Sequence, residues 1–273
     1  MGTIQIKNLS FRYAGMLTNL FDQLNLNIDE SWKLGLIGRN GRGKTTFLKL
    51  LLGKYTYQGE LNSSVDFNYF PQRIPDPTQL TKHVLLKIAG LDDSELWRIQ
   101  VEMDKLQLTD SVLGRPFETL SPGERTKALL AVMFTDNQTF QLIDEPTNHL
   151  DIEGREVVAD YLKHKRGFIV VSHDRHFIDQ VIDHVLSIDR AKIQLFAGNY
   201  ETWAAEYQRE NQSELAEKHH LQKEIGRLKA TANTMERWAG HAEGQKQKSR
   251  QSDQHANIDK GFVSHKAAKV MKR

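Results

Sequence analysis

Cysteine is absent from this 273-residue chain. That excludes disulfides and thiolate metal sites, and it suits a cytosolic protein. Long apolar runs are absent too. The longest wholly apolar stretch, Ala128 to Phe134, falls far short of a bilayer span, so no membrane insertion is expected. The opening residues show no signal-peptide pattern, because Ile4, Ile6 and Leu9 are interleaved with polar residues as in a strand. No His/Asp/Glu grouping has structural-metal spacing, and no internal repeat occurs. The net charge is only +2, but it is unevenly spread. Residues 221–273 hold 12 Lys+Arg against 5 Asp+Glu, whereas the rest of the chain holds 25 against 30. A basic extension on an acidic body invites an anionic partner, although a solvated helix has the same composition. At 39% hydrophobic, the chain can bury one sizeable core plus an appendage.

Among the motifs present, the most informative is Gly38 to Thr46, GRNGRGKTT. An apolar strand, Trp32 to Ile37, runs into it, and the helix-like FLKLLLG follows. Strand, Gly-rich loop and helix are the context that the G-x-x-x-x-G-K-[ST] phosphate loop requires. Gly38, Gly41 and Gly43 let backbone N–H groups turn inward on phosphate oxygens, with Asn40 between them. Lys44 brings a point charge to the β- and γ-phosphates. Thr45 offers a hydroxyl to magnesium, and Thr46 continues into the helix, whose start adds its dipole.

A hundred residues on, Ile143 to Asp151 reads IDEPTNHLD. The mostly apolar run Phe140–Ile143, stopped by acids, predicts a buried strand delivering carboxylates to a sheet end. Asp144 is a candidate magnesium ligand, and Glu145 a candidate for polarising a water. Gln72 ends an alternating strand (Val65, Phe67, Tyr69) and is a candidate for magnesium or the attacking water; a surface glutamine is the plainer reading. His173 ends the apolar strand Phe168–Val171 and is a candidate γ-phosphate contact, or a solvent-facing residue. Tyr13 is a candidate for stacking on adenine, or an ordinary packed aromatic.

Ser121-Pro122-Gly123-Glu124 reads as a capped helix start, with Pro122 at the first helical position and Glu124 completing a capping box. Strand-like segments fall near 3–9, 23–28, 33–37, 65–70, 140–143, 168–171, 184–188 and 193–196. Helix-like segments follow the phosphate loop and Pro122 and cover about 152–163 and 175–181. Alternating strands and helices around a phosphate loop predict an α/β core, with a small helical subdomain at about 73–135.

In this order the motifs resemble the nucleotide-binding domain of the ATP-binding cassette superfamily, over residues 1 to about 198. That resemblance implies a P-loop α/β fold and an ATPase with ATP and Mg2+ as cofactors. It implies Tyr13 as the adenine aromatic, Gln72 as the Q-loop, Glu145 as catalytic base, Asp151 as the D-loop aspartate and His173 as the switch histidine. LSPGE replaces the family signature Leu-Ser-Gly-Gly-Gln. Its Ser121 and Gly123 remain free to meet the γ-phosphate of a facing domain, while Pro122 removes a donor and Glu124 adds a charge. EPTNHLD, Gly198-Asn199-Tyr200 and a long charged helix narrow the resemblance to the ABC-F class. GRNGRGKTT, LSPGERTK and DKGFVSHKAAKVMKR are most similar to its antibiotic-resistance branch, the Lsa and Vga types. That branch implies a ribosome (rRNA and tRNA) partner and protection against lincosamides, streptogramin A and pleuromutilins.

Residues 199–273 read as part of a helical linker, basic from about 221. Leu221, Ile225, Leu228, Ala232 and Met235 recur at 4-3-4-3 spacing, a coiled-coil seam on a helix over about 201–239. A polar loop at 240–263 follows, then the start of a returning helix from Val263. One cassette and half a linker lead to the expectation of a fragment about half the length of its whole protein, whose composite site needs a second cassette. The alternatives from other classes are the ATPase subunit of a membrane transporter and a non-catalytic nucleotide-binding fragment.

Overall fold

A computed structural model describes residues 2–136, 138–189, 193–231 and 233–234. It divides into two units, Met1–Glu206 and Tyr207–Arg273.

The first unit is built on two sheets. Strands β1 (Thr3–Phe11), β2 (Phe21–Asp29) and β4 (Gln58–Ser63) form an antiparallel sheet in the order β2-β1-β4. Buried positions on β1 switch from even (Ile4, Ile6) to odd (Leu9, Phe11) across a register shift, where Asn8 takes a positive φ of 51°. An extra residue in one strand resets the two-residue period, and asparagine tolerates the left-handed backbone. The odd phase carries on to Tyr13, whose ring meets Phe11 edge-on at 4.9 Å.

The second sheet has the order β5-β6-β7-β3-β8-β9. Its strands are β3 (Lys33–Ile37), β5 (Asp66–Phe70), β6 (Thr139–Asp144), β7 (Phe168–Val171), β8 (His184–Ile188) and β9 (Ile193–Ala197). β5 to β8 run parallel, and β9 closes the edge antiparallel. Every residue of β7 is buried, as expected of a parallel strand covered on both faces.

The two faces sort by parity along β6 and β7. Phe140, Leu142, Ile169 and Val171 join the cluster shared with α1 (Lys44–Leu51) and the antiparallel sheet. Ile143, Phe168 and Val170 join the cluster formed with the remaining helices. Those helices are α2 (Thr81–Ala89), α3 (Leu96–Lys105), α4 (Pro122–Met133), α5 (Ile152–Lys163) and α6 (Arg175–Val181). Phe47 of α1 is almost wholly buried against this sheet, a burial that stabilises the fold by about 1.5–3 kcal/mol.

A polar knot ties α3 to α5. Glu102 is buried and accepts from Tyr161 Oη at 2.5 Å, from Lys105 Nζ at 2.7 Å and from Lys165 Nζ. Burial pushes the Glu102 carboxyl up, but these three donors outweigh it and hold the group below the usual glutamate range.

Two elements escape the sequence patterns. In β4, only Leu61 is even half-buried, so no apolar alternation marks it. α2 begins after Leu80 with no side-chain cap, so it lacks a start signal. The helical pattern Ser94–Leu106 resolves into a 3-10 turn, Asp93–Glu95, followed by α3.

Residues 200–206 of the first unit are helical, with Tyr200 and Trp203 packed on its core. In the second unit, residues 207–231 are helical and Leu221, Ile225 and Leu228 are each at least half exposed. Ala232, Met235, the loop expected at 240–263 and the returning segment from Val263 lie outside the described residues. Among the described residues, no helix is long and apolar enough to cross a membrane.

Candidate nucleotide site

Because β3, β6 and β7 are parallel neighbours, their carboxyl ends open on one side of the sheet, the usual location of ligand crevices in such folds. The loop after β3 delivers the phosphate-loop residues there, β6 ends on Asp144, and the loops after β6 and β7 deliver Glu145 and His173.

Gly38 to Gly43 form a tight loop. A Cβ on Gly38 would lie 2.6 Å from the Ile188 carbonyl oxygen, and Gly43 has a φ of 99°. Only glycine meets both demands without strain. Gly43 precedes α1, and no side-chain cap occupies the first-turn N–H groups. Uncapped donors at a helix start suit an anion. Lys44 Nζ donates to the Gly38 carbonyl at 2.7 Å and lies 3.4 Å from Asn40 Oδ1. Its ammonium is pulled below the usual lysine range by burial, opposed by the carboxylates of Glu145 and Asp144.

Thr45 and Asp144, 99 positions apart, meet directly: Thr45 Oγ1 donates to Asp144 Oδ2 at 2.9 Å. The same oxygen accepts from Tyr69 Oη at 3.0 Å. Burial, then the neighbouring carboxylate, pushes the Tyr69 phenol well above its usual range, so it stays a donor. No local sequence signal predicts this contact. Tyr69 had registered only as an alternating strand residue, and the β5–β6 pairing that brings it to Asp144 is not a local signal.

Glu145 sits just past β6, its N–H bonded to the Val171 carbonyl at 2.8 Å. Its φ is 55°, a costly conformation for a residue with a long side chain. Glu145 Oε1 lies 3.3 Å from His173 Nε2, and its Oε2 is buried without a hydrogen-bond partner. Burial raises the Glu145 carboxyl above the usual range, against the pull of His173. Thr147 and Ser172 share a hydroxyl hydrogen bond of 2.8 Å, which joins the two segments carrying these groups.

Tyr13 Oη is 2.7 Å from Thr46 Oγ1, so this aromatic lies against the phosphate loop. Tyr55 adds a second ring, 5.7 Å from Tyr13.

Gln72 is not joined to this cluster by a hydrogen bond. Its amide nitrogen and oxygen are buried without partners, and it lines a separate cavity of about 300 Å³ with Arg73, Gln79 and Lys87. The strand it was expected to end stops at Phe70.

The Ser121 segment forms the expected capping box. Ser121 Oγ accepts from the Glu124 N–H at 3.1 Å, and Glu124 Oε2 accepts from the Ser121 N–H at 2.7 Å. Arg115 pairs with Glu124 Oε1 at 3.2 Å, an ion pair that the sequence reading missed. The bond from the Ser121 backbone leads in holding the Glu124 carboxyl below its usual range. Gly123 follows Pro122 in the first turn of α4. Asp151 caps α5, its Oδ1 accepting from the Gly154 N–H at 2.8 Å. Asn148 and His149 line a cavity of about 480 Å³ together with Asp144, Glu145, Pro122 and Arg125.

The oxygen donors fit a magnesium-nucleotide. Magnesium prefers hard oxygen ligands and is usually held by one or two protein groups plus phosphates and water. Thr45 and Asp144 supply that small set, and among the described residues no cluster forms a closed cage for a metal.

Residues 21–148 match the family described as ABC transporter. ABC transporter F family member 5 of Arabidopsis thaliana is 29% identical over 235 residues, covering 83% of this chain and 33% of that protein. The uncharacterized ABC transporter ATP-binding protein YkpA of Bacillus subtilis (strain 168) is 30% identical over 241 residues, covering 73% of this chain and 44% of that protein. The match thus spans less than half the length of these curated relatives. A structure of the ATP-binding cassette MJ0796, dimeric, in a post-hydrolysis state and bound to ADP and Pi, superposes with a TM-score of 0.61 at 17% identity. That match covers 71% of this chain and 98% of the other.

Proposed function

We propose that the chain is an ATP-binding cassette of the ABC-F type that binds and hydrolyses ATP as one half of a ribosome-acting pair of cassettes, a reading supported by its similarity to F family members. The single observation that carries the ATP reading is the 2.9 Å contact of Thr45 with Asp144, beside the Lys44 ammonium. Phosphate-loop and carboxylate-strand groups converge there on one point.

In this reading the loop Gly38–Thr46 cradles the phosphates and Tyr13 carries the base. Lys44 leaves the Gly38 carbonyl for phosphate oxygens. Thr45 and Asp144 are the groups that hold magnesium, which when bound neutralises charge on the phosphates. Glu145, raised by burial and with one free oxygen, accepts a proton from the attacking water. His173 holds the other carboxylate oxygen and senses the γ-phosphate. Gln72 turns toward the site when nucleotide enters. The facing cassette receives Ser121, Gly123 and Glu124, and Asp151 lies at that junction. Full activity needs that second cassette, whether from the same protein or another chain.

Two features support the ribosome over a membrane partner: the resemblance of EPTNHLD and the following Gly198-Asn199-Tyr200 to the ABC-F class, and the basic residues beyond 221. We assign residues 199–273 to a partial linker, the protein to the cytoplasm, and its role to ribosomal protection of the Lsa and Vga type, against lincosamides, streptogramin A or pleuromutilins. Co-sedimentation tests it. The Glu145→Gln form of the protein, with its second cassette present, is expected to pellet with ribosomes in ATP and to be released as salt rises, because phosphate contacts free counterions. Absence of binding at every salt concentration contradicts the ribosome reading.

A further inference from the structure

The geometry points to Tyr69 as a positioning residue that holds the Asp144 carboxylate in place for a magnesium-nucleotide. The β5–β6 register pairs Tyr69 with Leu142. Leu142 and Asp144 are two residues apart on β6 and share one face, so Tyr69 lies on the face that carries α1 and the phosphate loop. From there its hydroxyl reaches forward to Asp144 Oδ2 at 3.0 Å. The ring is itself held, with Lys54 Nζ 5.4 Å from its centroid and the ring packed on the buried cluster around α1.

Tyr69 and Thr45 therefore converge on one carboxylate oxygen. A carboxylate held by two donors on one oxygen has a fixed plane, and its other oxygen has a fixed direction. When Thr45 turns its hydroxyl to magnesium, Tyr69 remains as the donor that keeps Asp144 from rotating. Outer donors of this kind orient ligands and tune metal affinity.

This inference rests on the magnesium-ATP reading above, and Tyr69→Phe tests it. Phenylalanine keeps the ring, its packing and the Lys54 contact, and removes only the hydroxyl. Calorimetric titration of the full chain with ATP is run in magnesium and again in EDTA, with thermal melts alongside. The magnesium-dependent gain in ATP affinity is expected to shrink about 10-fold, the scale of losing an outer-shell partner of a ligating carboxylate. Affinity in EDTA is expected to stay at the parental value, and the melting temperature to fall by only a few degrees, the scale of one lost hydrogen bond. A variant with the parental magnesium gain overturns the assignment, as does one that loses affinity equally with and without magnesium. A parental chain that binds no ATP under either condition overturns instead the cassette reading beneath it, so the two failures are distinguishable.

Discussion

Glu145 Oε1 lies 3.3 Å from His173 Nε2, while the other oxygen of the same carboxylate is buried with no partner. One oxygen is thus oriented and the other is free for a water. The positive φ of Glu145 supplies the bend that turns this side chain away from the line of β6. Strain retained beside a buried acid is a mark of a working site.

Glu145→Gln should leave ATP binding in place and slow hydrolysis by about 10²–10⁴-fold, the usual loss for a general base. Single-turnover assays with the second cassette present measure it. Unchanged turnover assigns the base elsewhere.

The same residue makes stability depend on pH. Burial raises the Glu145 carboxyl, so the folded chain holds more protons than the unfolded one in the interval above the ordinary glutamate value, roughly pH 4.3. Stability from this group therefore falls as pH rises through that interval. Glu145→Gln removes the penalty, and its melting temperature should exceed the parent's at pH 7 by more than at pH 4. An equal difference at both pH values contradicts the burial argument.

Glu102 has the opposite sign. Its carboxyl is held below the ordinary range, so its contribution is fully present above that range and is lost as pH falls through the lowered folded value. Glu102→Gln strands Lys165 and Tyr161 in a buried knot. At pH 7 it should cost about 3 kcal/mol or more, the scale of breaking a buried pair by removing one partner. Denaturant unfolding should show that gap narrowing as the medium is acidified below the glutamate range.

Ser121→Ala removes one half of the capping box on α4. The expected loss is about 1 kcal/mol, or roughly 2–4 °C in melting temperature for a domain of this size. Thermal melts of the two proteins check it. No loss would mean that Arg115 and Glu124 hold the helix start without the serine.

What the sequence revealed and what it concealed divide along a physical line. The phosphate loop, the buried strands β3, β6 and β7, and the Ser121 cap are local patterns, in which glycine spacing, apolar runs and a serine-to-glutamate offset specify the conformation. β4 is placed by its pairing with β1 rather than by its own residues, so nothing in it announces a strand. Tyr69 is placed at Asp144 by the pairing of strands some seventy positions apart. Gln72 shows the limit from the other side. Its position in the motif order is plain, but its amide lines a different cavity from the carboxylates: Phe70 and Pro71 reach the cavity of Asp144 and Glu145, and Gln72 does not line it. Asp151 carries a local meaning as well: an aspartate three residues before Gly154 is a helix cap, whatever else it touches.

The central claim is that the Gly38–Thr46 loop and Asp144 together bind a magnesium-nucleotide, and the most direct measurement is calorimetric titration of the chain and its Lys44→Ala variant with ATP in magnesium. The account predicts one saturable ATP per chain. It also predicts a loss of about 10-fold or more in the variant, because a charge-assisted contact contributes about 1.5–3 kcal/mol. Absence of binding by the parent chain, or equal affinity in Lys44→Ala, would contradict it.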